Sequence, residues 1–266
     1  MKVSHWLTAG VLTVAMATPG LSLAQDAGDD WDLVQDPSQN LTMAVLAFDG
    51  GQAVAVRCVA PTFEVILTGL PPRTGSTVAL EIGFDDEDLR DTHWWTSEVP
   101  GLYVAVHPGL LARRLREGGD LNVVVAAEGE EARRRYVMSL VPSGAAIDAT
   151  LAACGLPRDD TRASGDSWVR PDSRDTLTWD SRPTPTFPDR AIGRSNWGHV
   201  FLSCVALPTG RVEQCQIDSE RPENLGFGEA ALASARRARV VPYTPTTDEE
   251  AAQGQILRFS VAFRLR

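Results

Sequence analysis

The sequence predicts an α+β protein built from two successive units. The first is a mostly antiparallel β-sandwich with short helices, and the second a smaller β-β-α-β domain. Three observations predict this. Short apolar runs divided by turn residues fill the first half, the spacing of an antiparallel sandwich. A stretch rich in Pro, Asp and Arg, Leu156 to Arg182, interrupts the pattern. A hairpin, an alanine-rich helix and an alternating strand then follow in that order. The 266 residues suit two modest domains, and 43% hydrophobic residues suffice for folded cores.

Residues 1–24 read as a secretory signal peptide. Lys2 supplies the positive start and Trp6 to Ala17 is uncharged and apolar. Pro19 and Gly20 break the helix, and Ser22-Leu23-Ala24 fits the small-x-small rule, so cleavage is expected after Ala24. The alternative expectation is an uncleaved inner-membrane anchor with the rest of the chain facing the periplasm. Thr8, Thr13, Thr18, Pro19, Gly20 and Ser22 weaken such a span. The formal net charge is -10 and the only lysine is Lys2. An acidic surface repels phosphate backbones and anionic lipid heads, which argues against nucleic acid as a partner.

Residues 31–155 form the expected sandwich. Leu41–Phe48, Ala53–Cys58, Phe63–Thr68, Val78–Phe84, Leu102–Val106, Leu121–Ala126 and Tyr136–Val141 are its strands. Leu110 to Glu117 makes one or two helical turns before Gly118-Gly119. Ala145 to Cys154 is a second helix, stopped by Gly155 and Pro157. Residues 156–182 have almost no apolar periodicity, and their composition predicts an extended, mobile tether between independently unfolding domains.

Residues 183–266 regain order. His199–Leu207 and Arg211–Ser219 form a hairpin around Pro208-Thr209-Gly210. Gly228–Arg239 is a helix with a small-residue face of Ala230, Ala231, Ala235 and Ala238, and Pro242 follows its end. Gln255–Leu265 is the last strand. Ile256, Arg258, Ser260, Ala262 and Arg264 face one way, and Leu257, Phe259, Val261, Phe263 and Leu265 the other. That alternation predicts one buried and one largely wet face.

In an oxidising compartment the four cysteines read as disulfides. A two-residue loop at Thr209-Gly210 pairs Pro208 with Arg211 and carries Cys204 opposite Cys215. Opposed Cβ atoms lie about 4.5–5.5 Å apart, close enough for a bridge. Cys58 is then left with Cys154.

Residues 185–266 resemble the C-terminal domain of the TonB family. Phe187-Pro188, followed by Ala191, stands where the family has an aromatic-Pro pair and Ala. Gly198-His199-Val200 resembles the Gly-x-Val that opens the first strand, and Gly210-Arg211-Val212 the one after the hairpin turn. Ala230-Ala231-Leu232 and the Arg-rich run to Pro242 resemble the helix and its exit, and Val261-Ala262-Phe263-Arg264-Leu265 the closing strand. The resemblance implies capture of an extended segment of an outer-membrane TonB-dependent receptor, or another envelope protein, beside the last strand. Gln255, Ile256, Leu257, Arg258, Phe259, Ser260, Val261, Ala262, Phe263 and Arg264 are the expected docking edge, because an edge strand offers unpaired backbone groups to a guest. A homodimer through the same edge is the alternative use. The N-terminal domain resembles invasion-associated locus B-like exported proteins more distantly.

Sharper readings of single motifs are outweighed by plainer ones. Adjacent residues of a strand point to opposite faces, so His93-Trp94-Trp95 reads as core packing or a loop lid before a carbohydrate or metal site. His107 and His199 read as ordinary polar residues. Asp85-Asp86-Glu87-Asp88 lacks the spaced ligands of an EF-hand loop and reads as a solvated turn. Arg133-Arg134-Arg135 and Arg236-Arg237-Arg239 read as solvated faces. No Gly-x-Ser-x-Gly is present. The expectation is therefore a periplasmic, non-catalytic, TonB-like binding or adaptor protein without cofactor or metal. A membrane-anchored energy transducer and an enzyme with a catalytic N-terminal sandwich are its rivals.

Overall fold

A computed structural model describes residues 31–129, 131–160 and 177–265. The signal-peptide expectation at 1–24 and the middle of the expected linker lie outside them. Of the described residues, 31–156 build the first unit. Its strands are β1 (Asp32–Asp36), β2 (Leu41–Ala47), β3 (Ala53–Val59), β4 (Thr62–Thr68), β5 (Thr77–Phe84), β6 (Arg90–Thr96) and β7 (Tyr103–Ala105). Helix α1 (Pro108–Leu115), β8 (Gly119–Val125), β9 (Arg134–Leu140) and α2 (Ala145–Ala153) complete it.

These strands form a single nine-stranded sheet in the order β1-β2-β3-β4-β7-β6-β5-β8-β9, with every pair antiparallel. The sheet curls until Trp31, just before β1, donates its indole N–H to Val141 O just beyond β9 at 3.0 Å. Its two halves share one core. Val54 and Val56 of β3, Ile82 and Phe84 of β5, Trp94 of β6 and Val123 of β8 meet Leu111 and Leu115 of α1 and Ile147 and Leu151 of α2. Strand alternation aims each of these sheet residues inward. The Cys58–Cys154 bridge is present and fastens β3 to the end of α2.

The second unit contains β10 (Trp179–Ser181), β11 (Trp197–Ala206), β12 (Val212–Arg221), α3 (Phe227–Ala235), β13 (Arg239–Val240), α4 (Asp248–Gln253) and β14 (Gln255–Arg264). The β-β-α-β order holds for β11, β12, α3 and β14, which make a three-stranded antiparallel sheet ordered β12-β11-β14. A two-stranded ladder of β10 and β13 is added. Phe227, Ala231 and Ala235 of α3 pack on Val200, Leu202, Phe259, Val261 and Phe263 of the sheet, and Leu177 joins this second core. Small alanines let the helix sit close to the strands. Glu220 of β12 accepts the N–H groups of Asn224, at 3.1 Å, and of Gly228, a carboxylate placed at the positive end of α3.

The hairpin corrects one expectation. Leu207 N donates to Arg211 O at 2.8 Å and Gly210 N to Leu207 O at 2.8 Å, so the loop is Pro208-Thr209-Gly210, three residues rather than two. Ala206 then pairs with Val212 and Val205 with Glu213, one step off the expected register. A bulge beyond that point, where Gln214 has φ 48°, restores the register, so that Ser203 pairs with Gln216. The Cys204–Cys215 bridge forms, as expected, across this bulge.

The two units also meet outside the expected tether. Ile66, Trp95, Val104 and Val106, from the outer face of the first sheet, form a buried cluster with Phe201 of β11. A sheet-on-sheet seam therefore joins the units directly, in addition to any tether.

Candidate functional site

The strand that sequence reasoning singled out, β14, pairs with β11 along its whole length, from Trp197↔Arg264 to Ala206↔Gln255. Among the described strands β11 is its sole ladder neighbour, so β14 lies at the sheet margin. Leu257, Phe259, Val261 and Phe263 face the α3 side and are buried. Ser260, Ala262 and Arg264 face away and are exposed. The expected wet face fails at Arg258, which is 3% exposed, and at half-buried Ile256. Both lie at the end of β14 beside Ser203 and Val205, on the side of the sheet turned towards the first unit.

The motif residues converge behind this strand. Phe187 packs edge-on to Phe227 at 5.4 Å and lies 6.5 Å from Phe263, so it closes the core under the end of β14. Pro188 leads into a short turn that buries Ala191. Val200 and Val212 are core residues. Gly198 has no substitute: a Cβ there would stand 2.4 Å from the Phe227 ring. Gly210 is fixed twice over, by φ +82° and by Val240 O, which a Cβ would approach to 2.3 Å. Gly198 is the ladder partner of Phe263 on β14, and Gly210 lies in the hairpin loop. Both let the domain close around Phe227 and the hairpin.

The opposite face of β11 carries a second group of residues. Phe201 enters the seam edge-on to Trp95 at 5.3 Å and to His107 at 5.7 Å, with His93 at 6.3 Å and His199 at 4.8 Å. Trp94 lies in the first core and Trp95 in the seam, as adjacent strand residues must. Packing is thus the role of both, although Trp95 packs between units. His107 and His199 are seam residues rather than isolated polar ones.

Polar contacts bracket this apolar centre. A second bulge in β12 pairs Phe201 with Ser219 and Leu202 with Ile217, leaving Asp218 between them. Two consecutive side chains thereby face the seam. Ser219 accepts from the Trp95 indole at 3.1 Å and donates to Val106 O at 2.8 Å. Asp218 Oδ2 meets His107 Nδ1 at 2.9 Å and accepts from Ser203 Oγ at 2.5 Å. An ionised carboxylate only accepts, so His107 carries its proton on Nδ1. Ser203 binds the acid, not the imidazole, and is 1% exposed, so this trio lacks the nucleophile-to-base contact of a catalytic triad. At the other end Arg221 reaches Glu64 at 3.0 Å, Glu64 also binds Arg57, and Thr62 donates to Glu223 at 3.3 Å.

Among the described residues no cluster of His, Cys, Asp and Glu is arranged to hold a metal ion. The Asp85 carboxylate is engaged by the backbone N–H of Asp120 at 2.8 Å and by Arg114 at 3.2 Å, which gives the acidic turn a structural use. No helix of the described residues is long and apolar enough to cross a membrane.

Sequence reasoning missed the seam. The available signal was β11 itself, buried without a break from Val200 to Ala206. A strand buried on both faces reads as a continuous apolar run rather than an alternation.

Residues 183–265 match the family profile described as the Gram-negative bacterial TonB protein C-terminal. No curated protein matches the chain. The second unit is therefore a TonB-type C-terminal domain, and the resemblance drawn from Phe187, Gly198, Gly210 and the closing strand agrees with that match in extent.

Proposed function

We propose that the TonB-type domain captures an extended segment of an outer-membrane TonB-dependent receptor, or another envelope protein, by adding it as a strand beside β14. The observation that carries this reading is the marginal position of β14 in a three-stranded sheet. A guest strand satisfies main-chain groups there while exposed Ser260, Ala262 and Arg264 tune its side chains. The family match supports a TonB-like protein acting in the bacterial envelope, in the periplasm after export. The role is binding, not catalysis. Residues 31–155 and 183–266 are the two domains of this reading, with 156–182 between them lending Leu177 and β10 to the second core, and the first domain acts as a companion packed against the second.

The test uses the full chain and synthetic peptides with the sequences of receptor N-terminal segments. Alternate N–H groups of β14 point to opposite edges, so Pro at Ser260 and Pro at Val261 sample the two phases. One of the two substitutions is expected to abolish binding while leaving the fold intact, and amide shifts should cluster at 255–264. Shifts clustering elsewhere, or no binding at about millimolar peptide (about -4 kcal/mol), defeat the reading. Concentration-dependent dimerisation blocked by the same Pro would assign the edge to a second copy of the chain.

A further inference from the structure

We infer that the seam between the two domains is an acid-sensitive latch, closed while His199 is neutral and loosened when His199 takes up a proton. The inference stands whatever β14 binds, because it rests on the opposite side of β11.

His199 sits on the seam face of β11, its ring edge-on to Trp95 at 5.5 Å and beside Phe201 at 4.8 Å. Its charged surroundings come from every element around it. β6 brings His93, and β14 brings Arg264, next to the register partner Ala262. Its partner on β12 is Arg221, which turns its guanidinium to Glu64 and Glu223. Before α1 stands His107, held by Asp218. Arg258 of β14 lies opposite Ser203, further along the same face. The seam carboxylates are thus engaged elsewhere: Asp218 by His107 and Ser203, Glu64 by Arg57 and Arg221, Glu223 by Arg221 and Thr62. Among the described residues His199 has no carboxylate within ion-pair distance. A proton placed on it meets apolar rings and the positive charge of its neighbours.

Burial, followed by His93 and Arg264, holds the His199 imidazole below its ordinary range. The sign follows from linkage. The closed seam favours the neutral ring, so this contribution to closure is full above the ordinary imidazole range. It is lost as pH falls through that range towards the lowered value of the closed state. Acid therefore loosens the Trp95–His199 end of the seam.

The experiment measures amide-exchange protection in the full chain near pH 7.5 and near pH 5, corrected for the intrinsic pH dependence of exchange. On acidification, protection at 93–106 and 197–203 is expected to fall roughly threefold or more, while β2 and β3 hold theirs. H199Q, which keeps a polar side chain without the titration, should remove most of that fall. Unchanged seam protection in the wild type overturns the latch. So does a fall of equal size in H199Q, or a fall that disappears in H107Q and persists in H199Q. If H199Q unfolds, H199F is measured in the same way, and a wild-type-sized fall in H199F overturns the latch equally.

Discussion

The two faces of β11 obey different rules. The inward face sets Val200, Leu202, Cys204 and Ala206 against an alanine-rich helix, and everything it touches belongs to its own unit. The outward face sets Phe201 against Trp95, Val104 and Val106 of the other unit and surrounds the contact with Asp218, Ser219, His107 and Arg221. The first resembles a domain core and the second an interface, with an apolar centre and a polar margin. One strand thus specifies a fold with alternate residues and a partner domain with the rest. A seam of this kind limits relative motion that a tether alone would permit.

The comparison can be broken from the inward side first. Phe227→Ala removes the ring against which Gly198, Phe187 and Phe263 pack, and should destabilise the second unit by about 3–5 kcal/mol. Urea unfolding followed by far-UV circular dichroism measures it, and because β11 is shared the seam should open as well. Phe201→Ala attacks the other face. Its cost should lie near the lower end of that range, about 3 kcal/mol, and its signature differs. Both cores are expected to stay folded, and the single calorimetric transition expected of the wild type should split into two. If the two substitutions gave the same trace, the faces would not be separable.

Asp218→Asn sharpens the comparison within the seam. It removes a charge-assisted contact to His107 and weakens that to Ser203, with an expected loss of about 1–3 kcal/mol. The Nδ1 proton of His107, followed by NMR, should exchange faster. Ser219→Ala has the smallest effect, about 1 kcal/mol, since it leaves the Trp95 ring packed while removing one indole acceptor. The Trp95 indole resonance should move without a change in either core.

Much of this architecture was legible because it is local. The runs at Ala53–Cys58 and Val78–Phe84 announce the strands found at Ala53–Val59 and Thr77–Phe84, Gly155 and Pro157 end α2, and the Gly-x-Val pairs with their order identified the second unit. Strand β6 escaped because Arg90-Asp91-Thr92-His93 reads as a polar turn, although Trp94 and Trp95 bury its end. The disulfide partners could be paired from sequence, yet the hairpin register used to pair Cys204 with Cys215 was one residue out. Loop length follows from Gly210 in the left-handed region and its close approach to Val240, which belongs to β13, far along the chain beyond α3. The β14 edge was proposed from alternation and order. The burial of Arg258 could not be, because alternation predicts a wet position there.

Sequence by itself determined the α+β class with an antiparallel first unit, the two bridges and the family of the second unit, since each rests on short-range periodicity, turn chemistry or a motif in fixed order. Tertiary structure alone decided which faces meet. Asp218 and Ser219 look like any polar pair at the end of a strand until a bulge turns both to one side. Trp95 looks like a second core tryptophan until the other sheet arrives above it. Burial of a sheet's second face depends on a surface far away in the chain, and no local pattern of residues encodes where that surface will be.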